Sequence, residues 1–197
     1  MLKIYKFKFN YNLQKKTLIF LLQITRGLIK QIQIKNQTLE IKTSKSNIYS
    51  LSLFLKKHST CQFKTLVDLV ACDFPGKNFR FLLIYNLLSI DYNSRVIICT
   101  KILEKLPIIP TLTPIFSGAC WLEREVFDFF GIFFIKHFDL RRILTDYGFI
   151  GYPLRKDFPL SGFIEILYDD SQKHIIYKSV ELMQNFRNFN FKNSWKN

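Results

Sequence analysis

The chain is short of the residues that build reactive or covalently stapled frameworks. Only four of its 197 residues are cysteine (Cys61, Cys72, Cys99 and Cys120), separated by 11, 27 and 21 positions. No CxxC pair occurs, so zinc, iron–sulfur and dithiol sites have no spacing to rest on, and the thiols read as small buried side chains in a reducing compartment. Long apolar runs are missing as well. The longest stretch free of Asp, Glu, Lys and Arg is Leu106 to Leu122, 17 residues, and it is broken by Pro107, Pro110, Pro114 and Gly118. A continuous membrane helix is excluded there, and no membrane span is expected. Alanine is nearly absent (Ala71 and Ala119) and glycine numbers seven, against 21 Phe, 24 Ile and 12 Asn. That bias follows AT-rich codons, as in an organelle gene or another AT-rich genome. Met1 to Asn12 alternates Lys with Ile, Tyr and Phe at period two and reads as a strand. It carries neither the Arg- and Ser-rich amphipathic pattern of a transit peptide nor the apolar run of a signal peptide.

What remains is a globular composition, 48% hydrophobic and 22% charged. A chain of this length buries about 70% of its unfolded surface and needs no disulfide to hold a core. Acidic residues are scarce at one end. Residues 1–60 hold 12 Lys or Arg and the single acid Glu40, a charge of +11 out of the total +14, while residues 121–160 hold six of each sign. The basic third reads as a solvated lysine surface or as attraction to an anionic partner such as RNA, lipid headgroups or an acidic protein. Lys outnumbers Arg 21 to 8, and no RNP-like aromatic motif, GXXG loop or zinc knuckle accompanies the charge, so nucleic acid is not the expected partner.

Apolar spacing predicts a helix over 13–30, short strands at 31–35 and 38–43, and a helix over 47–57 begun by Asn47. Strands are expected at 65–73, 79–88 and 94–102; their short turn-like connectors make them antiparallel neighbours. The fold class read from this order is α+β, an antiparallel sheet with helices on one face, followed by a helix and an extended irregular strap. Ser117 is positioned to cap that helix, which runs to Phe130 and is ended by Gly131. The organisation expected is a basic extension 1–13, an α+β domain 14–130, an extended docking segment 131–170 and a C-terminal extension 171–197.

The information is concentrated in 121–162, WLEREVFDFFGIFFIKHFDLRRILTDYGFIGYPLRKDFPLSG. Half of the arginines lie here (Arg124, Arg141, Arg142 and Arg155), interleaved with Glu123, Glu125, Asp128, Asp139, Asp146 and Asp157. Arg124 and Asp128, four apart on the helix, are spaced to pair. Glu123, Glu125, Asp128 and His137 are the groups an acid–base or metal-dependent enzyme would use, and Cys120 sits at a helix start. No serine elbow, HExxH or Gly-rich phosphate loop supports them. Arginine forks among carboxylates on Gly- and Pro-containing backbone fit two readings: a charge-paired docking surface, or an internal network holding the chain's own tail.

The same residues resemble the signature of the subunit 9 family of mitochondrial NADH:ubiquinone oxidoreductase, respiratory complex I, a family that includes the bacterial counterparts. The resemblance is carried by Glu123-Arg124-Glu125, Asp128, Gly131-Ile132, Phe134 and His137. It continues through Asp139-Leu140-Arg141-Arg142-Ile143-Leu144, Asp146-Tyr147-Gly148-Phe149, Gly151, Pro153 to Leu160 and Gly162. A looser likeness covers Asp68 to Thr100, notably Asp73, Pro75, Arg80-Phe81, Tyr85 to Ser89 and Asn93-Ser94-Arg95. Phe138 and Phe127 depart from the family, which usually has Pro and often Trp there. The resemblance implies a peripheral, matrix-side α+β subunit of the inner-membrane complex with no catalytic residues of its own. It implies no cofactor on this chain, the flavin mononucleotide and iron–sulfur clusters belonging to other subunits. Partners would be the quinone-site large subunit and neighbouring iron–sulfur subunits, docked through Glu123, Arg124, Glu125, Asp128, His137, Asp139, Arg141, Arg142, Asp146, Tyr147, Arg155, Lys156 and Asp157.

Overall fold

A computed structural model describes residues 25, 27–35, 38–187 and 189. The chain divides into two units, Met1–Phe158 and Pro159–Asn197. The first holds β1 (Ile29–Lys35), β2 (Thr38–Thr43), helix α1 (Ile48–Lys57), β3 (Thr65–Asp73), β4 (Phe81–Ser89), β5 (Ser94–Ile102), β6 (Ile108–Pro110), helix α2 (Ala119–Phe130) and β7 (Phe133–Ile135). The second is a hairpin of β8 (Ile164–Asp169) and β9 (His174–Ser179). The strand expected at 1–12 and most of the helix expected over 13–30 lie outside the described residues. The last two positions of that helix, Ile29 and Lys30, are instead the start of β1, with a register shift between Ile29, opposite Thr43, and Gln31, opposite Lys42. Turn chemistry decides this: Gly27 at φ +92 stops any helix, and Thr43 and Asn47 side chains bond the carbonyls of Leu28 and Gly27.

The five-stranded sheet runs β1-β2-β5-β4-β3. β3, β4 and β5 form the expected antiparallel meander. β2 and β5 pair in parallel, so the α+β sheet is mixed rather than wholly antiparallel. The chain leaves β2 and returns to β5 only after α1, β3 and β4, a crossover long enough to bring it back in the same direction. β4 alternates strictly, with Phe81, Leu83, Tyr85, Leu87 and Ser89 buried and the residues between them partly exposed. Leu39 and Ile41 of β2 and Val96 and Ile98 of β5 point to the same side, where Leu51 and Leu55 of α1 and Ala119, Val126 and Phe130 of α2 close one core. Period two on the strands and 3.6 on the helices meet there, which is what the apolar spacing requires.

Gly131 ends α2 as expected, but neither helix is capped at its N-terminus as its sequence suggested. Asn47 occupies the first cap position but its side-chain amide donates to Gly27 instead. Gly118, not Ser117, precedes α2, with no side-chain cap; the Ser117 carbonyl accepts the Cys120 N–H at 3.2 Å. Besides the parallel β2–β5 pair, two pairings went unread in the sequence: the parallel β6–β7 pair and the β8–β9 hairpin. The hairpin turn is organised by Asp169, whose Oδ1 accepts both the backbone N–H and the hydroxyl of Ser171, with Lys173 at φ +57 completing the reversal.

Candidate functional site

Helix α2 and the irregular segment after it carry the residues singled out by sequence. On α2 the buried side chains are Ala119, Glu123, Arg124, Val126, Asp128 and Phe130; helical spacing puts Glu123 on the face of Ala119, Val126 and Phe130, and Arg124 and Asp128 on the other side, under the strap. Each is matched locally. Glu123 accepts the Leu112 N–H at 2.7 Å and the Thr111 hydroxyl, tying the helix to the loop after β6. Burial pushes its carboxyl up to about 7, against the downward pull of those two donors. The buried Tyr85 hydroxyl has no hydrogen-bond partner among the described residues; burial and the nearby Glu123 charge raise its phenol well above the usual value.

Asp128 organises the strap. Its Oδ1 accepts from Arg142 Nη1 at 3.1 Å and from the Thr145 hydroxyl at 2.6 Å. Its Oδ2 accepts the backbone N–H groups of Ile143, Leu144 and Thr145 at 3.1, 2.8 and 3.0 Å. Burial favours the protonated form, yet these donors together outweigh it and hold the carboxyl at about 2. The expected Arg124–Asp128 pair therefore does not form, because Asp128 is already saturated from the strap. Arg124 instead donates from Nε to the Arg141 carbonyl at 3.2 Å and lies 5.0 Å from the Trp121 ring centroid.

The strap is pinned again further on. Arg142 Nη2 reaches the Gly151 carbonyl at 2.9 Å, and its guanidinium lies over Tyr152 at 5.0 Å. Arg155 donates to the Phe130 carbonyl at 2.6 Å and stacks on Tyr152 and Phe81 at 4.4 and 5.2 Å. At the mouth of the β3–β4 hairpin Asp73 and Arg80 form a buried bidentate pair at 2.6 and 2.9 Å. Asp73 also accepts the Lys156 N–H at 2.8 Å, and Arg80 contacts Asp157 at 3.0 Å and Glu104 at 2.7 Å. The Arg80 bonds hold Asp73 below the usual carboxylate range against its burial. Gly131 makes this closeness feasible: it ends α2 at φ +71, and a Cβ there would meet the Tyr152 ring at 2.5 Å and Arg155 at 2.6 Å.

The thirteen expected docking residues thus separate. Glu123, Arg124, Asp128, Arg142 and Arg155, the Lys156 backbone and one Asp157 oxygen are engaged within the chain. Tyr147 is 96% exposed; Asp146 accepts the Tyr147 N–H, and Arg141 pairs with Asp139 at 3.1 Å on the surface. Glu125 is half-buried on α2. His137 spends both ring nitrogens on backbone: Nδ1 accepts the Asp139 N–H at 3.1 Å, which leaves the proton on Nε2 for the Cys120 carbonyl at 3.2 Å. Phe138, in place of the family's Pro, stacks on that ring at 5.4 Å. No hydrogen bond or ion pair among the described residues joins Glu123, Glu125 and His137 into an acid–base group. Sequence reasoning missed Thr111, Thr145, Tyr152 and the Asp73–Arg80 pair. The last had a signal, two opposite charges seven residues apart flanking a Pro-Gly turn.

Comparison with known proteins places this arrangement. The family described as "Respiratory-chain NADH dehydrogenase, 30 Kd subunit" matches residues 41–164. The chain belongs to that family. It is 52% identical to the NADH-ubiquinone oxidoreductase subunit 9 of Reclinomonas americana over 81% of this chain and 76% of the relative. It is likewise 52% identical to the protein of the same name from Prototheca wickerhamii, over 73% and 74%. A Candida albicans relative named "NADH dehydrogenase [ubiquinone] iron-sulfur protein 3, mitochondrial" is 49% identical over 82% of this chain and 57% of its own length. Among solved structures, a trypsin-resistant fragment of Nqo5 superposes with a TM-score of 0.55 at 25% identity, covering 65% of this chain and 99% of the fragment. The words "iron-sulfur" in the Candida name find no matching donor set here. Cys61 and Cys99 are buried, Cys72 and Cys120 are partly so, all four are unbridged, and the described residues hold no group of three or more His, Cys, Asp or Glu that could bind a metal.

Proposed function

We propose that this family member is a structural subunit of the peripheral, matrix-side arm of the mitochondrial NADH:ubiquinone oxidoreductase. It carries no cofactor and contributes no catalytic group. It supports electron transfer from NADH to ubiquinone, coupled to proton pumping, by docking to the quinone-site subunit. The observation that carries the docking reading is the outer side of the clasped strap. Phe133, Ile135, Phe138, Leu144, Tyr147, Ile150 and Leu154 are between 48% and 96% exposed. Large apolar and aromatic side chains held outward on a prepaid backbone are what a subunit interface needs, because contacts there cost little further ordering. Among the described residues no helix is long and apolar enough to cross a membrane, which agrees with a peripheral attachment.

The test introduces Tyr147→Asp with Ile150→Asp into the full chain and examines gently solubilised mitochondrial membranes on a native gel stained for NADH dehydrogenase activity. Loss of the chain from the large active band, with the soluble chain still folded, is the expected result. Undiminished assembly refutes docking through this surface. Arg142 is unsuitable for such a test, since reversing it breaks the clasp itself; Arg141, 72% exposed at its side chain, is the charge to reverse.

A further inference from the structure

The strap occupies one region of the first unit; the sheet face turned away from the core carries a second, independent feature. A groove of about 630 Å³ runs across the strand ends there, from β1 to the start of β4. Four lysines line it, Lys30, Lys42, Lys45 and Lys101, and Phe79, Leu82 and Leu103 add apolar surface. Lys42 and Lys101 stand on the outward side because their strands alternate, with Ile41 and Thr43, and Thr100 and Ile102, turned inward. Among the described residues none of the four lysines has a carboxylate within ion-pairing distance. Lys42 reaches only the neutral Gln31 at 3.3 Å. Glu40, the single acid in the lining, is held by the Gln33 amide at 3.0 Å and approached by the Cys99 thiol at 3.7 Å.

We propose that this groove seats an acidic segment of a neighbouring protein chain, its carboxylates on the four lysines and its apolar side chains on Phe79, Leu82 and Leu103. Four cations against one engaged acid leave the groove electropositive, so the occupant must bring negative charge. The apolar floor favours an occupant with alternating apolar groups over a small inorganic anion. The lining holds no arginine fork, and Phe79 is its only aromatic, where single-stranded nucleic acid would use several. Among the described residues the groove ends at β1, which lies at the edge of the sheet beside β2, so an extended polypeptide laid across the strands meets no further described strand there. This inference rests on the reading of the chain as a subunit of a larger assembly.

The test uses the assembled complex purified from membranes. A carbodiimide joins an amine directly to a carboxylate only when the two already touch, so mass spectrometry of the treated complex identifies the partner atoms. An amide bond from Lys30, Lys42, Lys45 or Lys101 to Asp or Glu of another subunit is the expected result. The Lys42→Glu/Lys101→Glu chain is expected to enter the complex at least tenfold less than the wild type, whereas Lys105→Glu, outside the groove, enters normally. Links confined to Glu40, or four lysines that label freely in the complex with normal entry of the double variant, overturn the proposal. A phospholipid retained by the wild-type complex and lost from the double variant overturns it in favour of a lipid. Absence of the wild-type chain from the complex overturns the subunit reading itself, a result distinguishable from all the others.

Discussion

Replacing Asp128 with Ala removes an acceptor that serves five donors at once. The carboxylate is wholly buried, and its loss strands three consecutive backbone N–H groups, the Thr145 hydroxyl and one edge of the Arg142 guanidinium. A buried donor left without a partner costs about 1–3 kcal/mol, and removing one member of a buried ion pair costs about 3–5 kcal/mol. These do not sum, because the strap can open and let water reach its N–H groups. A loss of about 3–5 kcal/mol is therefore expected, a large share of the about 5–15 kcal/mol that stabilises a domain. The opening is the more specific outcome. Amide hydrogen exchange in the full-length chain should show protection lost at Ile143, Leu144 and Thr145, while the amides of β4 and β5 slow or hasten only with global stability. Stability within about 1 kcal/mol of the wild type in urea, with unchanged protection at those three amides, refutes the clasp.

The same carboxylate sets an acid limit. Its folded pKa, about 2, lies below the ordinary 3.8, so its contribution is complete above about pH 4 and fades as pH falls toward 2. That contribution is about 2 kcal/mol. Asp128→Asn, which cannot ionise, should lose this acid dependence.

Glu123 acts in the opposite sense: its carboxyl is raised from 4.5 to about 7, so ionisation is disfavoured in the fold and stability declines as pH rises through that window, by about 3 kcal/mol. Glu123→Gln should flatten urea-measured stability between pH 5 and 7 and exceed the wild type at pH 8; a parallel pH profile counts against the assignment. Arg80→Met leaves Asp73 buried without its bidentate partner and should cost about 3–5 kcal/mol in denaturant, with Arg80→Lys recovering only part, because an ammonium cannot reproduce two parallel bonds. Gly131→Ala should lower the melting temperature by several degrees through both the Tyr152 clash and the positive φ, whereas Gly118→Ala, with no atom within 4 Å of the added carbon, should be neutral or slightly stabilising.

The sheet, α1 and α2 were legible because their signals are periodic. Phe81, Leu83, Tyr85 and Leu87 alternate and Leu51 and Leu55 sit one turn apart, so the buried side of each element can be counted off directly. Short connectors gave the antiparallel meander for the same local reason. The parallel β2–β5 pair was not legible, since its partners are 57 positions apart and nothing in either strand encodes which edge the other will choose. Within the candidate site, helical spacing pointed Arg124 to Asp128. It could not foresee that five donors from 142–145 would claim Asp128 first, because that competition is tertiary. The opposite charges of Asp73 and Arg80 around a Pro-Gly turn are a local signal for a pair, and the hairpin register, which sets Asp73 opposite Phe81, brings them together.

The interleaved charges of 121–158 and the exposed aromatics between them follow from one constraint. A segment with this much Gly and Pro forms almost no ladder, so its backbone N–H groups need acceptors from elsewhere. Asp128 and Asp73 supply them from the folded layer, and Arg142 and Arg155 cap free carbonyls in return. Part of the balanced charge in this stretch is thus engaged internally, through Glu123, Asp128, Arg142 and Arg155. With those polar groups turned inward, large apolar residues of the strap are left exposed, the less common placing for such side chains. Phe138, Tyr147 and Ile150 are 78%, 96% and 81% exposed for this reason. A charge-rich sequence therefore presents an apolar surface to the proposed large-subunit partner, and the strength of that contact should depend little on salt. The lysine groove on the opposite sheet face predicts the contrary, an attachment that weakens as ionic strength rises. Dissociating the complex stepwise in salt separates the two, since the groove contact should release first while the strap still holds.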